Sequence, residues 1–273
     1  MSMKRRSFLQ QIGWGFAAWG GSQVGLGQWS DRYQQVLAEP APRKLALLVG
    51  INQYNHGPGL TGCLTDVELQ RELLLYRFGF QNRDILTLTD QQATRENIEA
   101  AFVSHLIEQA RPGDAIVFHF SGYGSSIGSG TAPDMVQHTL VPFDGIPTAD
   151  TPEVNDLLEE TLLLLLRSLP TDRVTTILDT SYAPLSPAEG PLLGNLRFRS
   201  RPTPAGGQPC PAELAFQEQL LSRINASRSQ TRIERRSGQM PGVVLAAARE
   251  WPVPQKMLEG GKAFEVRWHG FSS

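Results

Sequence analysis

The chain reads as an α/β protein with a mostly parallel, twisted sheet covered by helices on both faces. Three observations predict this. Strand-length and helix-length segments alternate from about residue 44 onward. The strand segments are apolar along their whole length rather than at every second residue, as expected of strands buried on both faces. With 273 residues, 40% hydrophobic and 19% charged, the chain is also long enough to enclose a real core between such layers.

The elements follow in order. Lys44 to Asn52 (KLALLVGIN) is a continuous apolar run of strand length, and Leu64 to Phe78 carries apolar residues at helical spacing with Arg71 and Glu72 outside. Asp84 to Thr89 is a second strand. Thr94 to Ala110 is a second helix, with a Thr-Arg-Glu-Asn start and an end before Arg111-Pro112-Gly113. Ala115 to Phe120 is a third strand, followed by a short extended piece at Thr139 to Phe143. A helix from Val154 to Leu169 and a strand from Arg173 to Leu178 come next. Then Pro184, Pro187, Pro191, Pro202, Pro204, Pro209 and Pro211 punctuate a segment bearing Arg197, Arg199 and Arg201, which reads as an exposed linker over residues 184–211. A helix from Ala212 to about Arg228 and a strand from Gly242 to Ala248 resume the pattern.

Residues 1–38 read as an address. Lys4-Arg5-Arg6-Ser7-Phe8-Leu9 is a twin-arginine pattern, followed by a weakly apolar stretch from Ile12 to about Gly27. That stretch is shorter and more glycine-broken than the roughly 20 apolar residues of a membrane span. The expectation is export of the folded domain to the periplasm or an equivalent compartment. Contact with the membrane is expected only through an uncleaved leader, since no clean small-residue cleavage site precedes Pro40. A formal charge of −2 and a pI near 6.2 give no basic excess for nucleic acid. Two cysteines far apart, Cys63 and Cys210, do not make a disulfide scaffold.

Two short stretches carry the chemistry. His119-Phe120-Ser121-Gly122-Tyr123-Gly124 and Leu178-Asp179-Thr180-Ser181-Tyr182-Ala183 each close an apolar strand. They therefore stand at the carboxyl edge of the sheet, where sites of open α/β folds gather. They resemble the two signatures of the metacaspase and orthocaspase branch of the caspase-like peptidases, H-x-S-G-H-G and D-[ST]-C-x-x-G. The resemblance implies a caspase-like fold with a large-subunit-type domain over residues 41–183 and a small-subunit-type portion over residues 212–273. Val243 to Arg249 and Phe264 to Ser273 resemble the start of that smaller portion, whose final helix is missing, so a truncated form is expected. Relatives with a live dyad are often cut after basic residues in the linker.

The resemblance puts Tyr123 where the family has its catalytic His and Ser181 where it has its Cys. A Cys nucleophile works as a thiolate, from a reference pKa of about 8.5. Serine needs a positioned base instead, and tyrosine, near pKa 10, stays protonated at neutral pH. The expectation is an inactive peptidase homologue. The alternative is a slow Arg/Lys-directed endopeptidase using Ser181, a base from elsewhere and main-chain N–H groups near Gly124 as an oxyanion site.

The family's specificity determinants look better kept than its dyad. By resemblance, a G-C-x-x-D segment and residues flanking the dyad hold a substrate Arg or Lys. Here those positions are Gly62-Cys63-Leu64-Thr65-Asp66, Ser121 and Asp179. Two carboxylates and a hydroxyl suit the planar five-donor fork of a guanidinium, so the expected partner is a polypeptide with basic side chains. The plainer reading is that Asp66 only sits in the first turn of its helix, where negative charge is favoured, and that Asp179 caps a loop.

Other motifs carry less. Gly124-Ser125-Ser126-Ile127-Gly128 matches the G-x-S-x-G nucleophile elbow, but Ser129 to Pro133 reads as loop where that motif needs a helix. Gly50-Ile51-Asn52-Gln53 lacks the glycines of a dinucleotide loop. His119 lies inside its strand and reads as a packed filler; His105 is on a helix flank, and His56, His138 and His269 sit in or beside loops. Some metacaspases need calcium, but Asp134, Asp144, Asp150 and Glu153 are dispersed. No metal or other cofactor is expected.

Overall fold

A computed structural model describes residues 37–129, 132–145, 153–182, 199–201, 207–230 and 242–246. Residues 1–36, within the segment read as a twin-arginine leader, most of the proline-rich linker and the stretch from residue 247 onward lie outside them. Strands β1 (Lys44–Gly50), β2 (Ile85–Thr89), β3 (Ala115–Ser121), β8 (Val174–Asp179) and β10 (Val243–Ala246) form a five-stranded sheet in the order β10-β8-β3-β1-β2. Every pairing in it is parallel.

Alternation along β1 explains why its residues are apolar throughout. Leu45, Leu47 and Val49 pack into one core, and Ala46 and Leu48 into another on the opposite face. Helix α1 (Cys63–Tyr76) covers the second face through Val67 and Leu74. On the first face lie α2 (Arg95–Ala101, continued by a π turn over Phe102–Ile107), α3 (Glu159–Arg167) and α4 (Pro211–Gln230). They contribute Ile98, Phe102, Leu106, Leu162, Leu166 and Leu220 to that core. Each fully buried side chain of this size stabilises the fold by about 1.5–3 kcal/mol. Among the described residues no helix is long and apolar enough to cross a membrane.

Two expectations are corrected. Ser129, Ala132 and Pro133, read as loop, are in strands: β4 (Gly124–Ser129) pairs antiparallel with β5 (Ala132–Leu140), which pairs in turn with β7 (Leu157–Leu158). Gly and Ser have little intrinsic strand preference, and here tertiary pairing overrides it. Nor does a helix begin at Val154. A two-residue strand β6 (Glu153–Val154) and β7 come first, and α3 starts at Glu159. β6 pairs with β9 (Gln208–Pro209), just before α4.

A buried ion cluster ties these later pieces to α2. Arg95 Nη1 lies 2.6 Å from Glu99 Oε1 and 3.3 Å from Glu213 Oε2, while Arg95 Nε donates to Asn155 Oδ1 at 2.7 Å. Glu213 also accepts the Leu158 N–H, 3.0 Å, and the Thr161 hydroxyl. Burial, then the neighbouring Glu213, pushes the Glu99 carboxyl up to about 8. The cluster fixes the chain on both sides of Asp156.

Candidate active site

Register brings three residues to one level at the carboxyl edge of the sheet: Gly50 pairs with Ser121, and Ser121 with Asp179. Helix α1 starts directly above them. A Cβ on Gly50 would stand 2.6 Å from Val67 Cγ2 and 2.8 Å from the Cys63 carbonyl oxygen, so only glycine lets the helix approach this closely. Gly62 precedes the helix in the left-handed region, φ 99°. Asn52 Oδ1 accepts the Cys63 N–H at 3.0 Å and fixes the first turn. Asp66 thereby faces Ser121, whose hydroxyl donates to Asp66 Oδ2 at 2.9 Å.

The resulting acidic pocket holds an arginine of the same chain. Arg199 Nη2 lies 2.7 Å from Asp66 Oδ2, and its Nη1 lies 2.5 Å from Asp179 Oδ2. Nη1 also donates to Ser121 Oγ at 2.6 Å and to the Asp179 carbonyl at 3.3 Å. Burial would lower the Arg199 pKa, but Cys63, Asp179 and Asp66 together raise it. Burial pushes the Asp179 carboxyl up while Arg199 pulls it back. Cys63 is fully buried in the pocket wall; burial raises its thiol, and Arg199 and Ser121 oppose that. All four residues read from the sequence as basic-side-chain ligands, Cys63, Asp66, Ser121 and Asp179, surround one guanidinium.

The main chain of this arginine is held as firmly as its side chain. Its carbonyl oxygen accepts the Gly124 N–H at 2.8 Å and the Ser181 N–H at 3.0 Å. The Arg201 N–H donates to the Gly124 carbonyl at 2.8 Å, and Ser200 bridges to Gly124 in parallel fashion. A Cβ on Gly124 would collide with the Ser181 carbonyl, with Thr180 Oγ1 at 2.6 Å and with Tyr182 Cδ1 at 2.9 Å. Two N–H groups converging on one carbonyl have the arrangement of an oxyanion site.

The positions of the resembled dyad lie beside this carbonyl. Tyr123 is 8% exposed; its N–H donates to Tyr54 Oη at 2.7 Å, and the two rings meet tilted by 40° with centroids 4.9 Å apart. Ser181 is half-buried. His119 is fully interior, with neither ring nitrogen hydrogen-bonded among the described residues. Burial, opposed by Asp66, holds its imidazole down at about 4. His138 lies in β5 rather than a loop, its Nδ1 2.9 Å from Ser126 Oγ.

Sequence reasoning missed three features of the site. Residues 199–201 are not an exposed linker: Arg199 and Arg201 are half-buried and carboxylate-paired. Arg201 Nη2 reaches both oxygens of the fully buried Asp156, 2.9 and 3.1 Å away. Tyr54, which supports Tyr123, had no sequence signal. The arginines did have one, since Arg197, Arg199 and Arg201 recur at period two, the spacing of one face of an extended strand. Asp144, one of the dispersed acids, accepts hydrogen bonds from the Arg95 N–H at 3.0 Å and from the Asn155 amide, Nδ2, at 2.8 Å. Among the described residues no three of His, Cys, Asp and Glu come together as a metal site.

A family model described as metacaspase, peptidase C14 domain, matches residues 44–185. Metacaspase-1 of Mycosarcoma maydis is 33% identical over 150 residues, covering 52% of this chain and 36% of that protein. Metacaspase-1 of Schizosaccharomyces pombe is 31% identical over 150 residues, covering 52% and 34%. The chain thus spans about a third of the length of these curated relatives. Among solved structures, protein GSU0716 from Geobacter sulfurreducens superposes with a TM-score of 0.50 at 19% identity, over 74% of this chain and 71% of that one. That likeness concerns the fold alone.

Proposed function

From a chain that belongs to the metacaspase family of C14 peptidases, we propose a pseudopeptidase: a protein that keeps the family's basic-residue pocket and uses it to bind Arg-containing peptide segments without cutting them. The observation that carries the reading is Arg199, whose guanidinium lies between Asp66 and Asp179 while its carbonyl lies between the N–H groups of Gly124 and Ser181. This is how a peptidase would seat the residue before a scissile bond, here with Ser181 and Tyr123 beside it. A bidentate or forked carboxylate contact favours arginine over lysine. A tyrosine at position 123 supplies no base at neutral pH, so Ser181 stays a neutral hydroxyl. Because the segment is part of the same chain, a partner peptide must displace Arg199. Export through the twin-arginine leader would put this exchange outside the cytoplasm.

The experiment is a titration of the Arg199→Ala chain with labelled peptides ending in Arg, Lys or Asp. Arg peptides should bind with the highest affinity, and adding Asp66→Asn and Asp179→Asn should remove the preference. Equal binding of the Asp peptide would sink the reading.

One observation favours a second reading. The N–H groups of Gly124 and Ser181, 2.8 and 3.0 Å from the Arg199 carbonyl oxygen, support it as an oxyanion site, and such groups alone sustain weak catalysis in triad-deleted enzymes. That reading is a slow Arg/Lys-directed endopeptidase with Ser181 as nucleophile. Cleavage of Arg peptides by the unsubstituted protein, abolished by Ser181→Ala, would establish it.

A further inference from the structure

The site continues beyond Arg199 into a second, separately built arginine pocket. Two residues on, the Arg201 side chain reaches Asp156 and Gly145. Its Nη2 contacts both Asp156 oxygens at 2.9 and 3.1 Å, and its Nη1 donates to the Gly145 carbonyl at 2.9 Å. Ser125 Oγ donates to the Arg201 carbonyl at 3.1 Å, and the Arg201 N–H reaches Gly124. The main chain is thus registered as closely as the side chain. The planar guanidinium spreads its donors over two acceptors at once, Asp156 through Nη2 and the Gly145 carbonyl through Nη1, which the compact ammonium of a lysine does less readily.

Asp156 is prepared for this partner. It is completely buried, and besides Arg201 it accepts a hydrogen bond from Thr139 at 2.6 Å. Next to it, Asn155 is clamped by Arg95 and Asp144. Burial, despite Arg201, holds the Asp156 carboxyl up at about 6, so without a cation beside it the carboxylate would be poorly solvated. A rigid, desolvated acid discriminates strongly between a cation and any other occupant.

We propose that Asp156, the Gly145 carbonyl and the Gly124–Ser125 edge form a second guanidinium-binding subsite, so that this surface recognises Arg-x-Arg segments, of which Arg199-Ser200-Arg201 is the resident copy. The proposal rests on the reading of the first pocket given above and extends it. Single arginines satisfy half of the surface. Segments with arginines two apart satisfy both halves, because residues i and i+2 of an extended chain project to one side. The intervening residue, Ser200 here, carries no charged contact and is free to vary.

The test uses the full chain with Arg199→Ala and Arg201→Ala, titrated by fluorescence anisotropy with labelled heptapeptides copying residues 196–202. The parent peptide is compared with one carrying Ala at position 201 and one carrying Ala at position 199. Losing one partner of a buried charge pair should weaken binding of the 201-substituted peptide by at least about tenfold. Equal affinity of that peptide and the parent overturns the second subsite and leaves the first pocket standing. Equal affinity of the 199-substituted peptide and the parent, with loss for the 201-substituted one, overturns the first pocket instead. Should the vacated acid unfold the doubly substituted chain, adding Asp156→Asn removes the buried charge. In that chain the parent and the 201-substituted peptide should bind alike, and a surviving preference for the parent overturns the proposal.

Discussion

The Ser181 N–H lies 3.0 Å from the carbonyl oxygen of Arg199. That contact joins Ser181 to the residue seated in the acidic pocket. On the function proposed above, the peptide bond between Arg199 and Ser200 takes the place of a substrate bond.

Restoring the dyad should turn this resident segment into a substrate. In a Tyr123→His/Ser181→Cys chain, mass spectrometry should find a new amino terminus at Ser200, while the unsubstituted chain stays intact. General-base assistance alone is worth about 10²–10⁴ in rate, so the contrast should be at least about a hundredfold. An intact doubly substituted, folded chain would contradict the seating of Arg199.

Arg199→Ala should destabilise the fold, because it leaves Asp66 and Asp179 near one another without their cation. The three side chains are partly exposed, 19%, 30% and 40%, so solvent screening limits the loss to about 1–2 kcal/mol. Arg199→Lys should recover only part of it, lacking the fork. Urea unfolding of the three proteins measures both steps, and no change for Arg199→Ala would show that the pocket contributes nothing to the fold.

Gly124→Ala should close the carbonyl cradle. The added methyl meets the Ser181 carbonyl and Thr180 Oγ1, and overpacking of this kind costs about 1–3 kcal/mol. Thermal unfolding should register that cost, and the segment around Arg199 should exchange amide hydrogens faster than in the unsubstituted chain. Unaltered exchange there would separate Gly124 from the holding of the segment.

His119 makes the protein acid-sensitive in a defined window. Its imidazole titrates near 6.5 when unfolded and near 4 in the fold. Between these values the unfolded state binds a proton that the folded state refuses, so stability falls as pH drops from 6.5 to 4 and is unaffected above. The 2.5-unit separation corresponds to about 3 kcal/mol. His119→Phe removes this term together with two unpaired buried nitrogens. Its stability relative to the natural chain should be equal or better at pH 7 and should improve further toward pH 4. Parallel stability curves over that range would refute the assignment. Glu99, Glu159 and Asp156, raised to about 8, 7 and 6, act in the opposite sense but are common to both proteins.

Much of the site was legible because it is carried by short stretches whose geometry is local. Ser121 and Asp179 end strands, and Asp66 opens a helix, so parallel strand pairing alone brings them together. The glycine-rich β4 was not legible, since its pairing with β5, from Gly124 with Leu140 to Ser129 with Ala132, comes from the partner strand and not from its own propensity. Asp156 was equally hidden. An aspartate in a stretch read as helix gives no sign that burial and a clamp on Asn155 will turn it into an arginine ligand.

The sequence by itself determined the layered α/β plan and the two signature-like stretches that contain Tyr123 and Ser181. Those depend on residue type and on periodicities of 2 and 3.6, which are local properties of the chain. Only the tertiary structure decided that the proline-flanked arginines belong to the site. A charged segment rich in turn residues has no apolar pattern to commit it to the interior. It is drawn in only where Asp66, Asp179 and Asp156, far apart in sequence, have been brought together and partly stripped of water, so that a guanidinium satisfies them better than solvent does.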